Sequence, residues 1–515
     1  MRRSIIFIVG ACTAFAAGLC RGQATQDHPT AASAGSFREE VIAQLTPGSE
    51  VLEITACEGH LAWIEKQNGT HSVKLDGTPQ GAGYKDVKFL VMCPSQGRVM
   101  FFGKRESGWV FVADGKEGSE EYTWTTAPAF QPKGTSLAFG ACIEKKKCHL
   151  YVDQKEAGPE FELVSYPRYS RDGEHIAYFG KRGKDLTAVV DGKEAGPTVS
   201  GFYRFGFSPG GSHFYIAAVR GIMATYVVDG NSGPVFPVIG PIAFSSEDDH
   251  YAYGGTSSQS GFKKQKVFGT VVEDGTVVAT HEGKGLTGSW SLLAGAQESL
   301  AQGVRNLNPD FDGISDPDFD PDGKLVYAVR RDKGEMTVLV GDKAGPGFDD
   351  ILSPVVFSGD SRHFVYIARH GSDFVEVRDN VAGLTIPAGS RGPTMVPQIM
   401  MSKDAEHLAF ETVEGGNSFK AGKTTRALRS LVIDGKEGPR YDALAIAMLD
   451  ADKELTHYFY AVIGAKGNQD LVCVNGQESK LYNDVRGLRF VDHEKSVVFF
   501  ARDGQRILRV TYQFP

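Results

Sequence analysis

The chain has 515 residues, 41% of them hydrophobic, and a formal net charge of −8 at pH 7. This negative charge argues against a protein that binds nucleic acid or an anionic membrane surface, since both attract basic proteins. Apart from the N-terminal segment, no stretch is long and apolar enough to span a bilayer.

The N-terminus has the pattern of a secretory signal peptide. A pair of arginines precedes an apolar run from about Ile5 to Leu19. We expect a signal peptide at 1–22, a flexible lead-in at 23–36, and a mature protein in the periplasm, at the cell surface or secreted. Loss of the signal peptide removes three arginines and no acid, so the net charge of the mature protein becomes −11. Cys20 would suit a lipoprotein, but Leu19 precedes it where a small residue is expected.

A short motif built around Asp-Gly recurs ten times along the chain. Over the first half its copies follow one another at steps of about 38 residues, and such a period indicates an array of one supersecondary unit. Asp-Gly between apolar runs predicts a type I′ hairpin turn, which needs positive φ at both central residues. The copies begin at Asp76, Asp114, Asp153, Asp191, Asp229, Asp274, Asp342, Asp379, Asp434 and Asn475.

A second turn signal lies about 20 residues upstream of most copies, as in Ser170-Arg-Asp-Gly173 and Ser208-Pro-Gly-Gly211. Each is followed by a short alternating apolar run such as His175-Ile-Ala-Tyr178, which predicts a strand. One repeat therefore contains four short strands in about 40 residues, which matches one blade of a β-propeller. The sequence predicts an all-β protein of repeated four-stranded propeller blades.

The turns resemble those of TolB-type, WD-like propeller repeats, whose hallmark is Phe-Ser-Pro-Asp-Gly followed by a hydrophobic strand. The matching segments are Phe207-Ser-Pro-Gly210, Phe319-Asp-Pro-Asp-Gly323 and Phe357-Ser-Gly-Asp360. The resemblance covers roughly residues 50–513 and implies an exported propeller repeat protein. It implies no particular activity, because one fold carries many functions.

Ten Asp-Gly-type turns predict ten blades, and a shorter eleventh unit follows at Gly487–Val510. A lone strand at 39–45 would pair with that unit and close the ring, because closure removes exposed sheet edges. Eleven blades exceed the usual four to eight of one ring. We therefore expect a propeller of about six blades at 37–285, an insertion or linker at 286–313, and a second propeller of about five blades at 314–515. One large ring is the alternative.

Five cysteines would remain after export. Cys142 and Cys148 flank a short loop between two strands of one blade, which predicts a cross-strand disulfide in an exported protein. Two buried thiols are the alternative. The pairing of Cys57, Cys93 and Cys473 stays open, and the absence of a Cys-x-x-Cys pair argues against zinc.

Several histidines share one position in the repeat, where each opens the second strand. A cluster of histidines would suggest a metal site. One histidine per blade, however, favours a repeated packing or turn-capping role, because the blades hold these positions apart. The six are His60, His175, His213, His250, His363 and His407.

An acidic stretch is the sharpest local feature. Asp318, Asp320 and Asp322 with Gly323 form Asp-x-Asp-x-Asp-Gly, whose oxygens could surround Ca²⁺. Val329 stands where a calcium loop would place its glutamate, so a solvated turn is the alternative. Calcium is the one cofactor that the sequence suggests.

Four arginines fall near strands predicted to be innermost in their blades, namely Arg168, Arg204, Arg486 and Arg489. Innermost strands line the central channel of a propeller, so these side chains could contact an anionic ligand. A place on the solvated rim is the alternative.

No residue of the sequence is singled out as catalytic, and no organic cofactor is indicated. We expect an exported, non-enzymatic propeller that serves as a binding or scaffolding module for protein or glycan partners in the envelope or outside the cell. One alternative is a propeller enzyme that cleaves polysaccharide, of lyase or glycosidase type. Another is a structural envelope component that resembles the propeller part of TolB.

Overall fold

The computed structural model describes sixteen stretches of the chain. All regular structure in them is β, with forty-eight strands and no helix, so these stretches contain no helix that could cross a membrane. The described residues are 35–57, 59–92, 97–132, 134–260, 265–283, 318–320, 322–330, 335–341, 343–353, 355–358, 363–386, 399–402, 407–414, 427–452, 455–491 and 495–514.

The strands form eleven antiparallel sheets, each of which is one propeller blade. The first strand of the chain, β1 (Ser36–Gln44), belongs to the last blade. Blades 1 to 3 contain β2 (Glu50–Cys57), β3 (His60–Gln67), β4 (Thr70–Leu75), β5 (Thr78–Tyr84); β6 (Val87–Met92), β7 (Val99–Lys104), β8 (Trp109–Ala113), β9 (Lys116–Tyr122); and β10 (Trp124–Thr125), β11 (Ala129–Phe130), β12 (Leu137–Glu144), β13 (Lys147–Val152), β14 (Lys155–Phe161). Blades 4 to 6 contain β15 (Leu163–Val164), β16 (Arg168–Tyr169), β17 (Ile176–Arg182), β18 (Asp185–Val190), β19 (Lys193–Val199); β20 (Gly201–Phe207), β21 (Phe214–Arg220), β22 (Met223–Val228), β23 (Asn231–Ser232); and β24 (Val238–Phe244), β25 (Tyr251–Ser260), β26 (Gln265–Glu273), β27 (Thr276–Gly283).

The later blades follow the same plan. Blades 7 to 9 contain β28 (Asp318–Phe319), β29 (Leu325–Arg330), β30 (Met336–Val340), β31 (Lys343–Ala344); β32 (Asp350–Ile351), β33 (Val356–Phe357), β34 (Phe364–His370), β35 (Asp373–Arg378), β36 (Val381–Ile386); and β37 (Ile399–Met401), β38 (Leu408–Glu414), β39 (Ala427–Ile433), β40 (Lys436–Glu437), β41 (Tyr441–Ala443). Blades 10 and 11 contain β42 (Ala445–Ala451), β43 (Tyr458–Lys466), β44 (Gln469–Val474), β45 (Gln477–Glu478); and β46 (Asp484–Val491), β47 (Ser496–Asp503), β48 (Arg506–Gln513) with β1.

The Asp-Gly motifs form the predicted turns between the third and fourth strands. Nine of these turns lie in the described residues. In them, φ of the first central residue is between 46° and 51°, and φ of the second central residue is between 61° and 89°. Positive φ at both positions defines the type I′ turn. Glycine adopts it without strain, and at Gln154 and Asn380 another residue takes the second position. The prediction of the turn type is confirmed.

The two ends of the described chain close the propeller by pairing with each other. β1 runs antiparallel to β48, with Ser36 opposite Gln513, and forms the outermost strand of blade 11. Glu39 of β1 accepts a 2.8 Å hydrogen bond from the Tyr482 hydroxyl and lies 3.0 Å from the Lys480 ammonium. The predicted closing strand is therefore confirmed.

Contacts between neighbouring blades run through all eleven blades and return from blade 11 to blade 1, where β46 meets β2. Blade 6 packs on blade 7 through Ala243, Ala252 and Phe319. The insertion at 286–313 lies outside the described residues, and the division into two rings stays a prediction. Each blade contacts the next, and blade 11 contacts blade 1, which is what the alternative of one large ring requires.

Aromatic side chains pack into gaps left by glycine in the next blade. A Cβ on Gly180 would lie 2.3 Å from the Phe161 ring, and a Cβ on Gly103 would lie 2.3 Å from the Tyr84 ring. Each glycine is on the second strand of its blade, and each aromatic residue ends the fourth strand of the preceding one. These positions fix how closely the blades approach, because close-packed interiors leave no space for an added carbon.

Candidate functional site on the channel wall

The first strand of each blade is the innermost and lines the channel. First strands of neighbouring blades contact one another, as do β2 and β6, β16 and β20, and β24 and β28. The outermost strands contain the most exposed residues, as β14 and β19 illustrate. Side chains on the first strands therefore determine the chemistry of the channel wall.

Charges on these innermost strands are segregated around the propeller. Those of blades 2 to 6 contain no Asp or Glu and three cationic residues, Lys88, Arg168 and Arg204. We call these three residues the cationic arc. The innermost strands of blades 1, 7, 8, 10 and 11 contain six carboxylic acids, namely Glu50, Glu53, Asp318, Asp350, Asp450 and Asp484.

Arg168 and Arg204 lie on neighbouring strands of blades 4 and 5. The Arg168 guanidinium donates a 3.2 Å hydrogen bond to the Tyr166 hydroxyl and lies 5.5 Å from the centre of the Phe205 ring. The side chain of Arg204 has no hydrogen bond or ion pair with any residue in the described stretches. Two guanidinium groups on a wall without carboxylates attract an anionic group, which they can bind through several N–H donors.

Lys88 extends the arc onto blade 2. Its ammonium lies 4.2 Å from the centre of the Trp109 ring, a cation–π contact, and 3.4 Å from the backbone carbonyl of Thr125. Burial lowers the pKa of Lys88 to about 8, and the charge of Lys104 adds to this effect. Phe89 next to it has a φ of 56°, which is rare for a bulky residue and marks a bulge in the strand.

Arg486 lies in the acidic half and is neutralised there. Its Nη1 lies 2.9 Å from Oδ1 of Asp484. Burial raises the pKa of both Asp484 and Glu53, and the charge of Arg486 partly offsets that effect at each. Arg489 lies farther along the same strand, with its guanidinium beside Gly59 of blade 1. The four predicted arginines thus all lie on innermost strands, but they form no single site.

Sequence reasoning missed Lys88 and the charge segregation. The absence of acids from the first strands of five consecutive blades would have revealed both. This absence becomes visible only when the sequences of all blades are aligned strand by strand.

The repeated histidines cap the turns of their own blades. In each, ring Nδ1 hydrogen-bonds to Oδ2 of the Asp in the Asp-Gly turn, and Oδ1 of that Asp accepts the backbone N–H of the residue after the histidine. The Nδ1–Oδ2 distances are 2.6 Å for His60–Asp76, 2.7 Å for His175–Asp191, 2.5 Å for His213–Asp229, 2.7 Å for His250–Asp274, 2.7 Å for His363–Asp379 and 2.6 Å for His407–Asp434. Within the described stretches no three His, Cys, Asp or Glu side chains are grouped as a metal site.

A serine joins several of these pairs, yet the three residues do not form a hydrolytic triad. In blade 5, Ser208 Oγ accepts the backbone N–H of His213 and lies 2.5 Å from Oδ2 of Asp248. The His213 ring contacts Asp229 and the Asp248 carbonyl instead of the serine. A triad requires the ring to accept the serine proton. His457 holds the same position in blade 10, where sequence analysis did not recognise it.

The proposed calcium turn already contains a cation. The Lys324 ammonium lies 3.1 Å from Oδ2 of Asp322 and 3.7 Å from Oδ2 of Asp320. Oδ1 of Asp320 accepts the backbone N–H of Lys324 at 2.7 Å. The side chain of Asp318 lies outside the described residues, so the choice between a calcium loop and a solvated turn stays untested.

Cys142 and Cys148 form a disulfide between the second and third strands of blade 3, with an S–S distance of 2.06 Å. Cys473 is a buried thiol, Cys57 is a half-buried thiol, and Cys93 lies outside the described residues. The signal peptide at 1–22 also lies outside them, and export stays a prediction.

No family model matches the chain, and no curated protein does either. Among solved structures, the chain is similar to a eukaryotic initiation factor at 10% identity and a TM-score of 0.39, over 75% of this chain and 97% of that one. It is similar to the Dos1 propeller at 11% identity and a TM-score of 0.31, over 69% and 93%. It is also similar to the β-propeller domain of the Trilobed protease from Pyrococcus furiosus, at 14% identity and a TM-score of 0.28, over 62% and 96%.

Likenesses at such low TM-scores carry no argument about what this chain does. The propeller fold follows from its own strands and sheets. The assignment of its repeats to the TolB type stays a prediction.

Proposed function

We propose that the protein is an exported, non-catalytic binding module that holds a protein or glycan partner at its channel wall. The cationic arc is the observation that carries this proposal. Neither Arg168 nor Arg204 forms an ion pair with a carboxylate in the described stretches, although the whole chain is acidic. An uncompensated positive charge on an acidic protein favours a contact that an anionic partner completes.

Two observations support binding without catalysis. The Ser, His and Asp residues that recur in the blades are engaged in capping turns, and their geometry does not serve nucleophilic attack. Two of the three cations of the arc, Lys88 and Arg168, are held against aromatic rings, as in a recognition surface. A broad rigid face built from many blades suits a large partner.

The test is to crosslink the tagged mature protein in its native envelope and identify what it captures. A double variant, Arg168→Gln with Arg204→Gln, should lose a reproducible, near-stoichiometric partner of the wild type. The matched control, Arg171→Gln with Lys193→Gln, removes two exposed cations of blade 4 that lie outside its innermost strands, and it should retain that partner.

Equal capture by both double variants would contradict a role for the arc. Capture of nothing by the wild type would contradict the binding module itself. In that case, screens for polysaccharide binding and cleavage, with and without calcium, would test the enzymatic alternative.

A further inference from the structure

The end of blade 3 differs from the corresponding ends of blades 4, 5, 8, 10 and 11, which the structure also describes. Its second and third strands are joined by the Cys142–Cys148 disulfide, with Ile143 in a bulge directly beyond it. Cys142 lies opposite Trp124 of the first strand, and Cys148 lies opposite Phe161 of the fourth. The buried disulfide therefore joins the two central strands of the blade just before the turn that connects them.

The turn beyond the disulfide contains a strained lysine. Lys146 has a φ of 66°, a region that lysine rarely adopts. In the corresponding turns of blades 4, 5, 8, 10 and 11 a glycine has the positive φ, as Gly183 does in the next blade. A non-glycine residue in this region costs roughly 1 kcal/mol or more, and such strain is often found at functional sites. Blade 3 thus places the positive φ on the second residue of this two-residue turn, a lysine, whereas blade 4 places it on the first, Gly183.

Exposed apolar side chains surround this turn. Trp124 is 36% exposed, Ile143 is 40% exposed and Leu163 is 41% exposed. Leu163 begins the first strand of blade 4, which packs against the second and third strands of blade 3. A bulge re-aims the side chain at its position, and here it leaves Ile143 facing the solvent. Water-exposed apolar groups gathered at one edge are typical of protein interaction sites.

The same edge is positively charged. Glu162 pairs with Lys146 at 3.0 Å, and Glu144 pairs with Lys147 at 2.8 Å. Lys145 and Lys181, both exposed, have no salt bridge with any residue of the described stretches. Because these two lysines lack salt bridges on a chain whose net charge is −8, they attract an acidic partner to this edge.

We propose that the disulfide-joined end of blade 3, with Trp124, Ile143, Leu163 and Lys145, is a docking surface for an acidic polypeptide segment that also contains apolar side chains. This inference rests on the proposed binding function and names the class of its partner. The apolar groups would bury the apolar side chains of the segment, and the lysines would pair with its carboxylates. The disulfide holds the surface in the bound conformation before binding, which lowers the entropy cost of association.

The test uses a short fluorescein-labelled peptide of Glu with interspersed Leu, titrated with the full mature protein and followed by fluorescence anisotropy. We expect binding that weakens with added salt. Replacing Glu by Lys, or Leu by Ser, in the peptide should abolish it. Lys145→Glu and Trp124→Ala should each weaken binding about fivefold, which corresponds to roughly 1 kcal/mol.

The control variants are Lys193→Glu and Val381→Ala, an exposed lysine and a 67% exposed apolar residue away from this edge. Both should bind as the wild type does. Replacing Cys142 and Cys148 together by serine should also weaken binding. Since that change removes a buried disulfide, its effect counts only beside the two single variants.

Three results would overturn the inference. The peptide fails to bind at about 1 mM, it binds all variants equally, or a sulfated glycosaminoglycan binds at this edge while the peptide does not. If the envelope partner is captured as well by Lys145→Glu and Trp124→Ala as by the wild type, the docking surface is wrong while the proposed function stands. If neither partner nor peptide binds, both fail.

Discussion

Glu65 joins the closing strand to blade 1, and its charge should stabilise that closure. The side chain is 2% exposed on β3. Its Oε1 accepts the backbone N–H of Thr46 at 2.7 Å, and its Oε2 lies 2.5 Å from the Lys74 ammonium. Thr46 belongs to the short segment that leads from β1 in blade 11 to β2 in blade 1. A single buried carboxylate therefore connects the first and last blades.

The contribution of Glu65 to the free energy of unfolding follows from the change in its pKa on folding. Burial alone would raise the pKa of Glu65, but hydrogen bonds from Lys74, Ser49 and Thr46 outweigh it and lower the pKa from 4.5 to about 2. A carboxyl group with that change on folding contributes roughly 3 kcal/mol at neutral pH. Because the folded-state pKa is the lower one, the contribution is present above about pH 4.5 and is lost as the pH falls toward 2. At pH 3 it is less than half of its neutral value.

The perturbation is Glu65→Gln, which keeps the shape and removes the charge. We expect a loss of about 2–3 kcal/mol at pH 7, measured by urea unfolding, and a smaller loss at pH 3. Native-state hydrogen exchange should show the loss first in the amides of β1. The control is Glu106→Gln, which removes the exposed partner of Lys85 and should cost less than about 0.5 kcal/mol. An equal loss at both pH values, or unchanged exchange in β1, would refute this reasoning.

Three further predictions concern the blades. Gly180→Ala should destabilise the protein by about 1–3 kcal/mol in urea unfolding, because its Cβ would lie 2.3 Å from the Phe161 ring. The control Gly201→Ala should cost little, because its Cβ would lie 3.8 Å from the nearest atom, Cβ of Val219. Equal costs for the two variants would show that the blades shift apart freely. Burial alone would lower the pKa of His213, but its bond to Asp229 outweighs this and the pKa is raised. The charged His213–Asp229 pair therefore stabilises the fold below the ordinary histidine pKa, and this stabilisation is lost as the pH rises. Asp229→Asn should lower the free energy of unfolding by roughly 1 kcal/mol more at pH 6 than at pH 9. A larger loss at pH 9 would rule out a charged pair. Calcium at about 1 mM should leave the melting temperature unchanged, since Lys324 already pairs with the acidic turn. A rise in the melting temperature that Asp322→Asn abolishes would show instead that calcium displaces Lys324 from the turn.

The local turn chemistry was predictable because it depends on adjacent residues. Asp191-Gly192 needs positive φ at both positions, and the structure has 49° and 75° there. The disulfide partners are six residues apart in the sequence, so their pairing across a hairpin also followed from local spacing. The closing strand was predictable for a different reason, since an incomplete last unit leaves a sheet edge open.

The site was harder to predict because it depends on which strands become neighbours. Arg168 and Arg486 look alike in the sequence, but one contacts aromatic rings and the other pairs with Asp484. The acidic turn was ambiguous for a similar reason. Lys324 follows Asp322 closely in the chain, yet only the folded turn shows that its ammonium reaches both carboxylates.

Closure by β1 and β48 also sets an order of events during folding. Most pairings in this protein join strands that follow one another along the chain, so a blade can form as soon as its own segment is available. The pairing of Glu39 with Lys480 spans 441 residues and cannot form before nearly the whole chain exists. Contacts of such large sequence separation form slowly, because the loop entropy must be overcome first. Until that step, blade 11 lacks its outer strand, and its exposed edge is where a second chain could pair in place of the protein's own N-terminal strand.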